Sequence, residues 1–225
     1  MESEIELNKI ENSADRLMEV AKLLTDRGDF LLAIPKFSEA SEIYLKKHDY
    51  ENFLECQNNL LRIFSERENF EEVHKLKDRI QDLVLKEGFE LSAKTYYTLA
   101  LCAAYRGQNE TALDYLQKSL AISLGTDNKK DICYAINGIA ICYKNMGKYT
   151  EALKELYNLQ IFFQVLDIPE VKIASLHLNA QIYNELKKHD QALELFWQTF
   201  DMLREKKILH LYLRNLYYLG HTYLL

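Results

Sequence analysis

The chain has 225 residues, 48% of them apolar and 28% charged, with a net charge of −6. That balance belongs to an ordinary folded domain. No apolar run approaches the ~18 residues that span a bilayer, and the opening MESEIELNKIENS is too acidic and broken to read as a secretory signal. Charge is unevenly placed: residues 1–90 carry 21 acidic and 13 basic side chains, whereas residues 91–225 carry 13 and 15. An acidic chain without a basic stripe is not expected to bind nucleic acid, although its acidic end could steer a basic partner.

Four cysteines and six histidines carry no C-x-x-C or H-E-x-x-H spacing. Cys56, Cys102, Cys133 and Cys142 fall inside helical patterns, so the expectation is four reduced thiols in a cytoplasmic protein, with no metal and no cofactor. Seven glycines and two prolines are too few for an array of β-turns, and Leu, Ala, Glu and Lys favour helix.

Along the chain, residues 1–13 are expected to form an N-terminal helical extension. From Ala14 a two-helix pattern begins, its first copy over 14–47. Leu17, Val20, Ala21 and Leu24 lie on one helical face, Gly28-Asp29 breaks the helix, and Phe30, Ala33, Phe37 and Ala40 line a second helix. Pro35 falls inside that second helix, where a bend is expected. The pattern returns over 54–87, with Glu68 where the turn glycine stood, and over 93–126, turning at Gly107. Over 133–166 it is cleanest, turning at Gly147-Lys148. A fifth copy over 173–206 turns near Lys187-Lys188, and Pro169 is placed to open its first helix. Residues 210–225 repeat a first helix alone.

Behind these copies runs one small-residue series, Ala21, Leu61, Ala100, Ala140, Ala180 and Gly220, at intervals of 39 or 40 residues. Twelve residues after each of the first five come Ala33, Val73, Ala112, Ala152 and Ala192. Small residues at these intervals mark where two helices of a repeated hairpin cross, and such a period is the signature of a solenoid. The expected fold is all-α: a right-handed α-α superhelix of five helical hairpins plus a final helix.

The segments RGDFLLAIPKF, RGQNETALDYL, MGKYTEALKEL and KKHDQALELF give this pattern a name. From about Ala14 to the C-terminus it resembles the tetratricopeptide repeat, with units near 40 residues rather than 34. The six extra residues are expected to lengthen the helices. The resemblance implies that first helices line a concave groove and hold a protein or peptide. Side chains one turn before and one residue after each small position then face the groove: Asn58 and Arg62, Tyr97 and Leu101, Asn137 and Ile141, His177 and Gln181, Tyr217 and His221. One turn on come Ser65, Lys144 and Asn184. Amides and rings suit an extended peptide, since amides both donate and accept and Tyr gives contact area at low entropy cost.

The chaperone-binding members of the family clamp a C-terminal carboxylate. Here the corresponding wall holds Met18, Lys22, Asn58, Asn59, Lys94 and Thr98, and Met18 and Thr98 depart from that clamp, so it is not expected. The long repeats also look like the peptide-pheromone receptors of Gram-positive bacteria, including response-regulator aspartate phosphatases, in which asparagines hold the peptide backbone; Asn58, Asn137 and Asn184 could act so. No Gly-rich phosphate loop or nucleophile motif is present, and His177 with His221 reads as a pair of ligand contacts rather than an acid and a base. No catalysis is expected. The apolar last helix implies either self-association or a piece cut from a longer signalling or scaffold protein, and the second is preferred here.

Overall fold

The computed structural model describes residues 14–206 and 209–224; the extension expected over 1–13 lies outside them. Every described element is a helix. In chain order these are α1 (Ala14–Asp26), α2 (Phe30–Lys46), α3 (Tyr50–Glu66), α4 (Phe70–Glu87), α5 (Ala93–Tyr105), α6 (Asn109–Gly125), α7 (Lys129–Asn145), α8 (Tyr149–Phe163), α9 (Pro169–Glu185), α10 (His189–Lys206) and α11 (Leu209–Tyr223). They run as five pairs and a final helix. The chain divides into two compact units, residues 1–108 with α1–α5 and residues 109–225 with α6–α11.

Local chemistry explains the boundaries. The side chains of Asp49, Asn69, Ser92 and Asn128 accept hydrogen bonds from backbone amides at the starts of α3, α4, α5 and α7, satisfying donors that a helix start leaves open. Pro169 opens α9, where its missing N–H costs nothing. Within each pair the turn is closed alike: Asp29 N donates to Leu24 O, Asn69 N to Phe64 O, Gln108 N to Ala103 O, Lys148 N to Tyr143 O and Lys188 N to Tyr183 O, all at 2.8–3.0 Å. This six-to-one closure needs a left-handed residue just before the donor. Gly28, Gly107 and Gly147 supply it at φ of 71–82°.

Glu68 and Lys187 hold the same position at φ of 56° and 61°. The degenerate turn therefore keeps its geometry, with a side chain in a conformation that costs roughly 1–2 kcal/mol. Lys187→Gly should raise stability by about 0.5–1 kcal/mol after the extra freedom of glycine in the unfolded chain is charged; equal urea midpoints for both proteins would contradict this.

The small positions do what their spacing implies. Ala21, Leu61, Ala100, Ala140 and Ala180 are buried, as are Ala33, Val73, Ala112, Ala152 and Ala192. Gly220 is the departure: it is exposed, and a Cβ there would meet nothing within 4 Å. In the second unit Ala140 and Ala152 lie in one apolar cluster with Ile132, Ile136, Leu156, Leu159, Val171 and Ile182. Forcing a large ring into such a crossing displaces backbone, so Ala140→Trp should cost about 3 kcal/mol or more, read as a fall in melting temperature larger than that of any exposed-helix substitution. The length of each repeat goes into helix: α3, α7 and α9 each run 17 residues. Pro35 sits inside α2, and nothing in the structure gives it a role.

Candidate functional site

First helices pack on first helices: α3 against α5 in the first unit, and α7 against α9 against α11 in the second. The α3–α5 and α9–α11 seams carry polar pairs at matching places. Asn58 Nδ2 donates to Thr95 Oγ1 at 3.2 Å, and Ser65 Oγ to Cys102 Sγ at 3.0 Å. In the second unit His177 pairs with Asn215 at 3.1 Å, and Asn184 Nδ2 donates to Thr222 Oγ1 at 2.6 Å. Each pair joins the side chain three before a small position to one five before the next, or four after to two after. In the α3–α5 and α9–α11 seams two rungs, two turns apart, fix the register of neighbouring helices.

These rungs limit the sequence expectation. Asn58, Asn137 and His177 were read as groove-facing, yet all three are buried, at 4–5% exposure, and Asn184 is half-buried. Asn58, His177 and Asn184 bond within the seams. The remaining candidates are more open: Arg62, Tyr217 and His221 are exposed, while Tyr97, Ile141 and Gln181 are half-buried. Arg62 lies 4.0 Å from Glu66, and the ring of Tyr217 stacks near His221, with centroids 6.3 Å apart. In the first unit the structure places Arg62 and Tyr97; in the second it places Ile141, Gln181, Tyr217 and His221. His177 is buried and His221 exposed, and no hydrogen bond joins them.

The His177 environment can be derived. Asn215 Nδ2 donates to the Phe196 carbonyl at 2.9 Å, and a carbonyl only accepts, so Asn215 must turn its oxygen to His177. His177 Nδ1 therefore carries the proton, and its Nε2 is a bare acceptor. That Nε2 is buried with no protein partner. Phe196 and Tyr218 meet the imidazole edge-on, at 5.3 and 5.0 Å. Burial pushes the ring down to about 4, the Asn215 bond opposes this, and the charges of Arg214 and Lys144 add to the fall. The imidazole is neutral at pH 7.

Electrostatics on the first unit's face follow another plan. Glu55 sits between Lys22, 3.2 Å away, and Lys94, which donates a hydrogen bond to it. Burial raises the Glu55 carboxyl, but Lys94 and then Lys22 outweigh it and hold the carboxyl below its usual range. Both lysines of the wall that resembles a carboxylate clamp are thus already met by an internal carboxylate. All four cysteines are free and buried; burial lifts the Cys56 thiol to about 12 and that of Cys142 to about 11. They are packing groups, not nucleophiles, at neutral pH. No group of three His, Cys, Asp or Glu side chains among the described residues is placed to hold a metal, and no described helix is long and apolar enough to cross a membrane.

The sequence profile of the tetratricopeptide repeat family matches residues 91–157, the stretch from α5 into α8. Over that stretch the chain carries tetratricopeptide repeats. Solved tetratricopeptide structures extend the likeness along the chain. A kinesin light chain-like protein of Podosopora anserina with nearly identical TPR-like repeats is 20% identical, covers 85% of this chain and 95% of its own, and superposes with a TM-score of 0.61. A signal-transduction ATPase of Pyrococcus horikoshii with a tetratricopeptide repeat sensor is 18% identical, over 97% of this chain and 34% of its own, at a TM-score of 0.75. Aspartyl phosphate phosphatase F of Bacillus subtilis is 14% identical, over 87% and 51%, at 0.66. At these identities the likeness carries the fold: an all-α solenoid of tetratricopeptide type. No curated protein matches the sequence.

The polar rungs were not foreseen. Their signal was available in the spacing: Asn58 and Thr95, Ser65 and Cys102, His177 and Asn215, Asn184 and Thr222 lie 37 or 38 residues apart, two short of the repeat. In these four pairs, polar residues at that offset meet across adjacent first helices.

Proposed function

We propose that this tetratricopeptide-repeat protein is a non-catalytic, cytoplasmic binding module that holds a protein or peptide against the exposed faces of its first helices. The observation that carries the reading is the division of labour on those helices. Small and apolar positions pack the hairpins, and Asn58, His177 and Asn184 tie neighbouring helices together. Arg62 and Tyr97 in one unit, and Ile141, Gln181, Tyr217 and His221 in the other, are left accessible. Rigid placement of a few rings and amides on a helical wall is what peptide capture requires. Asn137 contributes a buried oxygen without a protein partner behind this wall. Four buried free thiols suit a reducing compartment.

Peptides selected from a random library on the immobilised chain provide the test. With a photo-reactive residue in place of Gln181 or Tyr217, selected peptides should cross-link, whereas the same probe at Lys154 or Asp201 should stay silent. Equal cross-linking at all four positions would sink the assignment of the binding face.

A second reading makes the module a ligand-responsive regulatory domain of a larger signalling or scaffold chain. It is favoured by the sensor role printed for the tetratricopeptide part of the Pyrococcus horikoshii ATPase and by the likeness to the Bacillus subtilis phosphatase. Scattering separates the two: a sensor compacts when a selected peptide is added, and a static holder keeps its radius of gyration. On either reading the exposed Leu213, Leu216, Tyr223 and Leu224 at the last helix offer an apolar surface to a further helix or a second copy.

A further inference from the structure

The last helix, α11, leaves bare a side that the other first helices have packed away. Seven residues before the small position stand Ala14, Leu54, Ala93, Cys133 and Ile173 in the first five repeats, all at 0–8% exposure. In the sixth stands Leu213, at 58%. The small position itself is buried five times, whereas Gly220 is exposed. Leu216 and Tyr223, four before and three after, are exposed as well, where the same places in the other repeats are buried or half-buried. Steps of three and four residues put Leu213, Leu216, Gly220 and Tyr223 on one side of α11.

The chain itself shows what covers such a side. In the fourth repeat Cys133, Ile136, Ala140 and Tyr143 of α7 share one apolar cluster with Ala152, Leu156 and Leu159 of α8. Across the five hairpins the covering helix is of one kind. At its crossing point it carries alanine in four repeats and valine in the other. Four residues later comes Phe37, Leu116, Leu156 or Phe196, with Lys77 the exception, and the residue seven later is buried in every case. That is an amphipathic helix with a small residue at the crossing and a large apolar one a turn beyond. At Gly220 the crossing point lies open, since even a Cβ there would meet nothing within 4 Å.

We infer that the bare side of α11 is a docking site for one amphipathic helix of a partner protein, packed on Leu213, Leu216, Gly220 and Tyr223 as α8 packs on α7. The partner helix carries alanine or another small residue at the crossing, leucine or phenylalanine four residues on, and a small or aliphatic residue seven on. Anchors at these steps are the ordinary means by which one helix is recognised by an apolar surface. The site lies beside the face of Tyr217 and His221 proposed above. It takes a folded helix rather than an extended segment, so either site can fail without the other.

The test uses the full chain and, as probe, a fluorescein-labelled peptide of residues 148–164, the α8 segment. A free peptide of this length is only marginally helical. On addition of the chain its anisotropy should saturate, and difference circular dichroism should show a gain of helix. Gly220→Trp in the chain should weaken binding by about tenfold or more, because the ring overfills the crossing. The helical signal and melting temperature of that variant should hold, since Gly220 is exposed and has open space around it. Ala152→Trp in the peptide should weaken binding as much. Ala121→Trp in the chain, at an exposed place on α6, should leave it unchanged. A peptide that does not bind overturns the proposal. So does binding that ignores Gly220→Trp, which would mean that the peptide has displaced α8 instead of filling the side of α11. Equal loss with Ala121→Trp overturns it too. Sedimentation of the chain without peptide closes the remaining case: a dimer that Gly220→Trp dissociates would give this side to a second copy and overturn the proposal.

Discussion

Gln57→Leu is expected to stabilise the protein by about 1–3 kcal/mol, the cost of keeping a polar group buried without a partner. Gln57 lies on α3, fully buried, and neither its amide nitrogen nor its oxygen meets a hydrogen-bonding partner among the described residues. Its place, four before the small position, is held by Leu17, Tyr96, Ile136, Leu176 and Leu216 in the other repeats. Four of those five are aliphatic, so leucine at 57 restores the commonest choice of the repeat while removing two unmet polar atoms. The shape change is small, which leaves desolvation as the dominant effect. Chemical denaturation should show a higher midpoint with an unchanged slope. A midpoint equal to or below that of the parent would mean that the Gln57 amide is answered in solution, and that the second repeat is not weakened here.

Acidification should unlock the second unit through His177. A histidine held near 4 in the folded state and near its ordinary 6.5 when unfolded binds a proton more readily in the unfolded chain. Stability therefore rises with pH across this window. It is fully present above about 6.5, is lost progressively as pH falls from there, and levels off below about 4. The whole span corresponds to about 3 kcal/mol as an upper figure, at about 1.4 kcal/mol for each unit of displacement. Protonation would put a charge on Nε2 among Phe196, Tyr218, Arg214 and Lys144, none of which can answer it. His177→Phe should flatten this part of the profile, because phenylalanine fills the pocket and does not titrate. Urea unfolding at pH 7.5, 6, 5 and 4 checks it; parallel profiles for the parent and His177→Phe would remove the histidine from the account. Glu55 acts in the same direction but lower in pH: its carboxyl is held down by Lys94 and Lys22, so the support it gives is present above the ordinary carboxylate range and lost as pH falls through the depressed value.

The repeat itself was legible because packing writes it into residue size. Ala33, Ala112, Ala152 and Ala192 are small for one geometric reason, and the helices cross where that reason predicts. Glu68 and Lys187 were less legible: nothing in either side chain announces a left-handed backbone, which is imposed by the hydrogen bonds from Asn69 and Lys188 to the preceding helix. The binding face was legible only in part. On a helix, positions three before and four after a small residue lie at the border between the open face and the seam with the next first helix. Asn58 and His177 fell to the seam because Thr95 and Asn215 stand opposite them. Tyr217, with no first helix of the described chain beyond it, remained exposed. Helical periodicity alone gives the angle of a side chain and not the neighbour that covers it.

Methyl-labelled isoleucine spectra give the most direct measurement of where a ligand lies. Ile141 stands on the face of α7 assigned to binding, half-buried, and Ile161 stands on α8, a second helix, 61% exposed. On addition of a library-selected peptide, the Ile141 methyl resonance should move with saturation while that of Ile161 stays in place. Movement of Ile161 with Ile141 unchanged would put the ligand on the second helices and contradict the account.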